Sequence, residues 1–164
     1  MKRRYRESTS PLDRLIHFIA LGFGAGAAPA APGTFGTLMG VPFYLVLREL
    51  PWPGYVLVVA AMFVAGIWLC DRTERYLGQH DHGSIVWDEI TAFQIVMVAA
   101  PAGPVWIVAG FSLFRLFDIW KPWPIRQVER QTSGGLGTML DDVLAAVYAL
   151  LILQATYFLL ATPH

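Results

Sequence analysis

The sequence predicts an all-α fold: a small polytopic membrane bundle of short helices, with a helical hairpin and its polar loops gathered on the cytoplasmic face. Three observations carry this. Of 164 residues, 55% are hydrophobic and only 15% charged, whereas soluble domains hold about 25% charged residues. Mean hydropathy is +0.50. Residues 52–70 and 143–161 are two uncharged runs of 19 residues each, close to the roughly 20 that a hydrocarbon core requires.

The same composition excludes several classes. Twelve basic residues balance twelve acidic ones, which removes the bulk electrostatic case for a nucleic-acid partner. The single cysteine, Cys70, permits no internal disulfide and no cysteine-rich zinc site. An aromatic content of 13% argues against disorder. The length fits one domain over 1–164, with a flexible basic segment expected over 1–11.

Along the chain, residues 12–27 carry Asp13, Arg14 and His17 at their start and glycines at their end, a pattern expected of an interfacial helix. The stretch also imitates a secretory signal, with Lys2, Arg3, Arg4 and Arg6 before it and Ala28-Pro29-Ala30 after it. A short apolar segment over 35–47 stops at Arg48-Glu49-Leu50-Pro51, and the 52–70 span follows. Residues 90–114 are uncharged but divided by Ala99-Ala100-Pro101-Ala102-Gly103-Pro104. Prolines and glycine so closely spaced signal a turn, so a hairpin is expected with arms at about 88–100 and 104–117. The 143–161 span closes the chain. Lysine and arginine cluster at the N-terminus, in 71–87 (Arg72, Arg75) and in 118–140 (Lys121, Arg126, Arg130), against Arg48 alone on the other side. Five segments threaded from a cytoplasmic N-terminus place all three basic regions inside.

This threading gathers the acids at one membrane surface and leaves no ionisable group in mid-span, which disfavours an ion-coupled carrier. Four clusters lie at that surface. His80-Asp81-His82-Gly83-Ser84-Ile85-Val86-Trp87-Asp88-Glu89 holds three acids and two histidines, denser than helix capping requires. His-x-His can bind zinc, but no HExxH or CxxC accompanies it, and oxygen-rich ligand sets suit magnesium better. In Phe114-Arg115-Leu116-Phe117-Asp118-Ile119-Trp120-Lys121-Pro122-Trp123-Pro124-Ile125, Arg115 and Asp118 can pair at i,i+3, Trp120 and Trp123 read as interfacial aromatics, and Arg115 with Lys121 can hold phosphate. Gly134-Gly135-Leu136-Gly137 before Asp141-Asp142 can present backbone N–H groups to an anion. The two aspartates point about 100° apart on a helix, so one is expected on a metal and the other on a neighbouring group. Pro32-Gly33-Thr34-Phe35-Gly36-Thr37 reads as a loop before a helix, with Thr34 or Thr37 as its cap or holding phosphate.

Familiar phosphatase signatures are absent. Cys70 and Arg75 give C-x₄-R, one residue short of a cysteine phosphatase loop, and no DxDx[TV], G-x-S-x-G or nucleotide-binding GxxxxGK[ST] occurs.

Together, PGTFGT (32–37), HDHGSIVWDE (80–89), FRLFDIWKPWPI (114–125) and GGLGTMLDD (134–142) resemble the phosphatidylglycerophosphatase A family in order and spacing, over about residues 15–160. Thr37 stands where that family usually has serine, Ala92 where a glycine often follows the acidic pair, and Thr138 where an apolar residue is usual. The resemblance implies an all-helical fold and magnesium-dependent removal of the terminal phosphate of phosphatidylglycerophosphate at the bacterial inner membrane, with the phospholipid substrate in the cytoplasmic leaflet.

The resulting expectation places Mg²⁺ among Asp81, Asp88, Glu89, Asp118, Asp141 and Asp142. Asp88, Glu89, Asp142 and His82 are the expected catalytic set, and Gly33, Thr34, Arg115, Lys121, Gly135 and Gly137 the expected substrate-binding set. An activated water attacks phosphorus, one carboxylate or His82 takes its proton, and His80 or His82 protonates the leaving group. A covalent aspartyl-phosphate stands as an alternative route. The rival from another class is a non-catalytic protein binding anionic lipid head groups, or a small carrier. If basic loops set the topology, reporters at Arg75 and Arg126 will register cytoplasm and one near Pro51 periplasm; opposite readings at 75 and 126 would break the single-face arrangement.

Overall fold

The computed structural model describes residues 10–161, so of the basic segment expected over 1–11, residues 1–9 lie outside the described residues. All regular structure among the described residues is helical. Helix α1 spans Pro11–Ala20. Ser10 caps it reciprocally with Asp13, and Pro11 sits in the first turn, where its missing N–H costs nothing. One face docks on the neighbouring α3 (Trp52–Leu77): Arg72 meets Asp13 at 2.7 Å, and His17 Nδ1 lies 3.0 Å from Thr73 Oγ1. Leu12, Leu15 and Phe18 on α1 remain exposed, the pattern of a helix lying on an interface. A 3₁₀ segment, Gly22–Ala27, links it to α2.

Helix α2 spans Pro32–Leu47. The PGTFGT stretch expected to form a loop is instead its first turns. Ala31, in the left-handed region, precedes Pro32 without a side-chain cap, and Thr37 Oγ1 donates back to the Gly33 carbonyl at 2.9 Å. Neither threonine caps the helix, because proline at the first helical position moves the start upstream of both. Helix α3 continues past the uncharged run to Leu77, where Gly78 ends it in the left-handed conformation (φ 72°).

Helix α4 spans Trp87–Val96, shorter than the expected hairpin arm. Its ten residues rise about 15 Å, half a hydrocarbon core. Eight of them are buried, enclosed by α2, α3 and α7 (Gly134–Ala161). Being apolar on nearly every side, α4 serves as a core helix rather than a lipid-facing arm. Beyond its first turn, Gln94 is buried and donates Nε2 to the Gly40 and Ile90 carbonyls at 3.0 and 2.8 Å. Helix α5 spans Pro104–Trp120 and a short α6 spans Ile125–Gln131. The corner between them is pinned by Ile125, which is fully buried, and by Tyr148 Oη donating to the Trp123 carbonyl at 3.1 Å. Helix α7 begins at Gly134, so Asp141 and Asp142 lie about two turns inside it, whereas the uncharged run alone starts at 143.

Helix α7 packs on α3, α4, α5 and α6, with Ala145, Ala146 and Ala149 fully buried; small side chains allow such close helix approach. Helices α3 and α7, of 26 and 28 residues, are long and apolar enough to cross a membrane, yet only 33% and 22% of their most apolar windows are buried. Leu57 and Val64 on α3, and Leu159 and Leu160 on α7, face outward, the reverse of a soluble core helix.

The α3–α7 crossing depends on Gly135, where an added Cβ would overlap the Ile67 carbonyl oxygen and reach 2.5 Å from the Asp71 nitrogen. Backbone cannot yield as a flexible side chain does. Gly135→Ala is therefore expected to lower stability by about 1–3 kcal/mol, read as the melting temperature in neutral detergent. Gly83→Ala, where nothing lies within 4 Å, is the silent comparison.

Candidate active site

The start of α4, the end of α5, the third turn of α7 and the 80–82 loop bring the acids into two adjoining groups. In the first, Asp88, Glu89 and Asp142 each present a carboxylate oxygen, all within 4.8 Å of one another. Asp88 and Asp142 are buried. Asp88 Oδ1 accepts from the Glu89 N–H at 3.0 Å, whereas Glu89 Oε2 and Asp142 Oδ2 are buried without a hydrogen-bond partner. Arg115 flanks this group, donating Nη1 to Asp118 Oδ2 at 2.5 Å and lying 3.9 Å from Glu89 Oε1. The first turn of α2 closes in from the other side. A Cβ on Gly33 would overlap Glu89 Oε1 and come within 3.0 Å of Arg115 Nη1, so a larger residue there would displace the ends of both side chains. Thr34 sits beside it, half-buried.

In the second group, Asp81, Glu129 and Asp141 offer oxygens within 4.8 Å of one another. Lys121 joins two of them, donating Nζ to Glu129 and to Asp141 at 2.7 Å each. Burial works against the Lys121 ammonium, but Asp141 and Glu129 outweigh it and push its pKa up. Lys121 reaches inward because it ends α5 in the left-handed conformation (φ 46°). The adjacent Asp141 and Asp142 thus serve different groups, as their angular separation on a helix requires. Asp141 Oδ1 is also buried and unpartnered.

The 80–82 loop hangs from Glu74, a buried carboxylate near the end of α3. Glu74 takes His80 Nδ1 at 2.9 Å and the Asp81 N–H at 3.3 Å, and accepts from Thr138 Oγ1 on α7. The hydrogen bond that His80 donates to Glu74 raises the His80 pKa, so that ring carries its proton to higher pH. His82 is turned locally: its Nδ1 accepts from the Ser84 N–H at 3.2 Å. A neutral ring accepting there carries its hydrogen on Nε2, a donor rather than a base.

Gly135 and Gly137 face protein backbone, of α3 and of Thr132 respectively, giving both a packing reason beside any anion-binding one. Sequence reasoning missed Glu74 and Glu129. Glu74 follows the apolar run in Asp71-Arg72-Thr73-Glu74-Arg75, which reads as a solvated helix end. Glu129 sits between Val128 and Arg130 on what reads as a hydrated helix. Thr138, a hydroxyl in an otherwise apolar stretch, is the partner of Glu74.

The sequence model of the phosphatidylglycerophosphatase A family matches residues 18–157. Phosphatidylglycerophosphatase A of Escherichia coli (strain K12) is 47% identical over 132 residues, covering 80% of this chain and 77% of that protein. The protein of the same name from Haemophilus influenzae is 45% identical over 145 residues, 87% of this chain and 89% of that one. A Bacteroides thetaiotaomicron relative, 40% identical over 144 residues (82% and 89%), carries a provisional name as a phosphatidylinositol-3-phosphatase. No solved structure matches the chain.

The Lys121 bridge makes a direct prediction. Lys121→Met strands two carboxylates and is expected to lower the melting temperature, and Asp141→Asn in that background should restore part of it. A double-mutant cycle should give a coupling of roughly 1–3 kcal/mol; a coupling near zero would show that the ammonium does not bind Asp141.

Proposed function

The chain belongs to the phosphatidylglycerophosphatase A family, and we propose that it is a phosphoric monoester hydrolase that releases the terminal phosphate of phosphatidylglycerophosphate as a polytopic protein of the bacterial inner membrane, its site facing the cytoplasm. The observation that carries this reading is the convergence of Asp88, Glu89 and Asp142, with two buried oxygens lacking partners, beside Arg115 and Lys121.

Three carboxylates in such proximity repel unless positive charge is supplied. Arg115 is already engaged by Asp118, so it neutralises only part. An all-oxygen donor set with two unpartnered, buried oxygens fits a hard divalent cation such as Mg²⁺, and Asp88, Glu89 and Asp142 would hold it. Bound there, such an ion would supply charge neutralisation at the phosphate oxygens and make water more acidic. Asp118 is engaged by Arg115, Asp81 belongs to the second group, and Asp141 is engaged by Lys121.

The residues of the chain account for the remaining roles. Arg115 and Lys121 orient the monoester and offset the charge that builds on its oxygens. A carboxylate of the first group takes the proton from the attacking water, since the tautomer of His82 leaves its Nε2 a donor. The water oxygen bonds to phosphorus as the ester P–O bond breaks. His80, kept protonated by Glu74, returns a proton to the departing glycerol oxygen. The start of α2 at Gly33 and Thr34 lies where backbone N–H groups favour an anion.

Purified protein supplied with phosphatidylglycerophosphate should release phosphate, lose that activity with a chelator and recover it with Mg²⁺ or Mn²⁺. Asp88→Asn, Glu89→Gln and Asp142→Asn should each cut turnover by roughly 100-fold or more while the protein stays inserted in the membrane. Asp13→Asn should leave turnover nearly unchanged. No phosphate release from the wild-type chain would overturn the proposal, and recovery by Zn²⁺ alone would move the metal to the histidines.

A further inference from the structure

The two arginines of α6 have no assigned work. Arg126 and Arg130 are exposed and lie four residues apart, one turn along the same helix face, where like charges are destabilising. Neither forms an ion pair with a described residue. Arg126 spends one donor on the Trp120 carbonyl at 3.2 Å, and Glu129, the acid beside them in sequence, is engaged by Lys121. Both arginines line a groove of about 560 Å³ with Trp120, Trp123, Gln127 and Lys121. Lys121, which lines the groove, also touches Asp141, so the groove adjoins the acidic site through that residue. At its outer end Trp120 and Trp123 are 61% and 77% exposed, as aromatics are at the head-group level of a membrane.

Groups competent for a phosphate are therefore present twice: at the carboxylates, where the cations are engaged by acids, and in the groove, where two guanidinium forks are free of acids. Guanidinium matches a phosphate in two-point geometry. The proposed substrate carries two phosphates of different kinds, the monoester that is cleaved and the diester that joins the head group to diacylglycerol. We propose that Arg126 and Arg130 bind the diester phosphate of the lipid, with Trp120 and Trp123 seating the head group at the membrane surface, and so select a lipid bearing both phosphates. The inference rests on the phosphatase reading. It also requires that the groove retain affinity for the product, which loses the monoester and keeps the diester.

Two measurements in neutral detergent micelles test it: binding of short-chain phosphatidylglycerol by calorimetry, and kcat and KM for phosphatidylglycerophosphate. The double variant Arg126→Gln/Arg130→Gln should raise Kd for phosphatidylglycerol and KM by about 10-fold or more, the range of a lost charge-assisted hydrogen bond, with kcat held within about two-fold. Arg130→Gln alone should move both constants in the same direction, and because Arg130 is exposed and free of ion pairs it provides the readout if the double variant does not fold. Unchanged constants would overturn the proposal, as would a wild-type protein that does not bind phosphatidylglycerol. An equal loss of oleate binding would also overturn it, because that marks general attraction to an anionic surface. Failure of the wild-type protein to release phosphate would defeat the phosphatase reading while leaving the binding arm to decide whether the groove holds a diester.

Discussion

Placing carboxylates at the edge of an apolar helix bundle is the constraint around which the rest of this structure is arranged. A charged group taken from water costs several kcal/mol unless it is paired or solvated, and this chain collects Glu74, Asp88, Asp141 and Asp142 in buried positions. It answers with few cations. Arg115 engages Asp118 and lies near Glu89; Lys121 engages Glu129 and Asp141; His80 and Thr138 engage Glu74. The oxygens left over, on Glu89, Asp141 and Asp142, mark where the protein's own groups run out.

The helices are cut to serve that arrangement. Helix α4 is too short to span, and its first turn brings Asp88 and Glu89 to Arg115 near the end of α5 and Asp142 in the third turn of α7. Acids in a helix's first turn meet its positive end, so α4 supports the very charges it buries. Glycine does the complementary work: Gly33 lets α2 come up to Glu89 and Arg115, and Gly135 lets α7 lie on the backbone of α3. A side chain at Gly135 would push α7 off the α3 backbone, and one at Gly33 would displace the ends of Glu89 and Arg115.

The two acidic groups differ in how they are neutralised. The second encloses a covalently attached cation, the Lys121 ammonium, that cannot be exchanged. The first has only a shared guanidinium and keeps unpartnered oxygens. That asymmetry distinguishes Asp88, Glu89 and Asp142 from Asp81, Glu129 and Asp141. The adjacent Asp141 and Asp142 divide between the two because a helix turns about 100° per residue.

The sequence by itself determined the helical class, the two long apolar helices, the break at 99–104, and the four polar clusters that meet at one end of the bundle. These follow from local properties: apolar run length, proline and glycine punctuation, and the clustering of acids near the ends of the runs. It misplaced what depends on neighbours. PGTFGT read as a loop because its glycines and threonines suit one, whereas the chain uses the proline to start a helix and the glycine to admit Glu89. Residues 88–100 read as a short arm of a membrane hairpin because they are apolar, yet apolarity does not tell lipid from protein, and α4 is largely surrounded by protein. Glu74 and Glu129 were invisible because a carboxylate beside arginines reads the same whether it faces water or a buried partner. Only the tertiary structure, by fixing what lies opposite each acid, decided which are bridged by Lys121, which brace the 80–82 loop, and which remain unpartnered at the site.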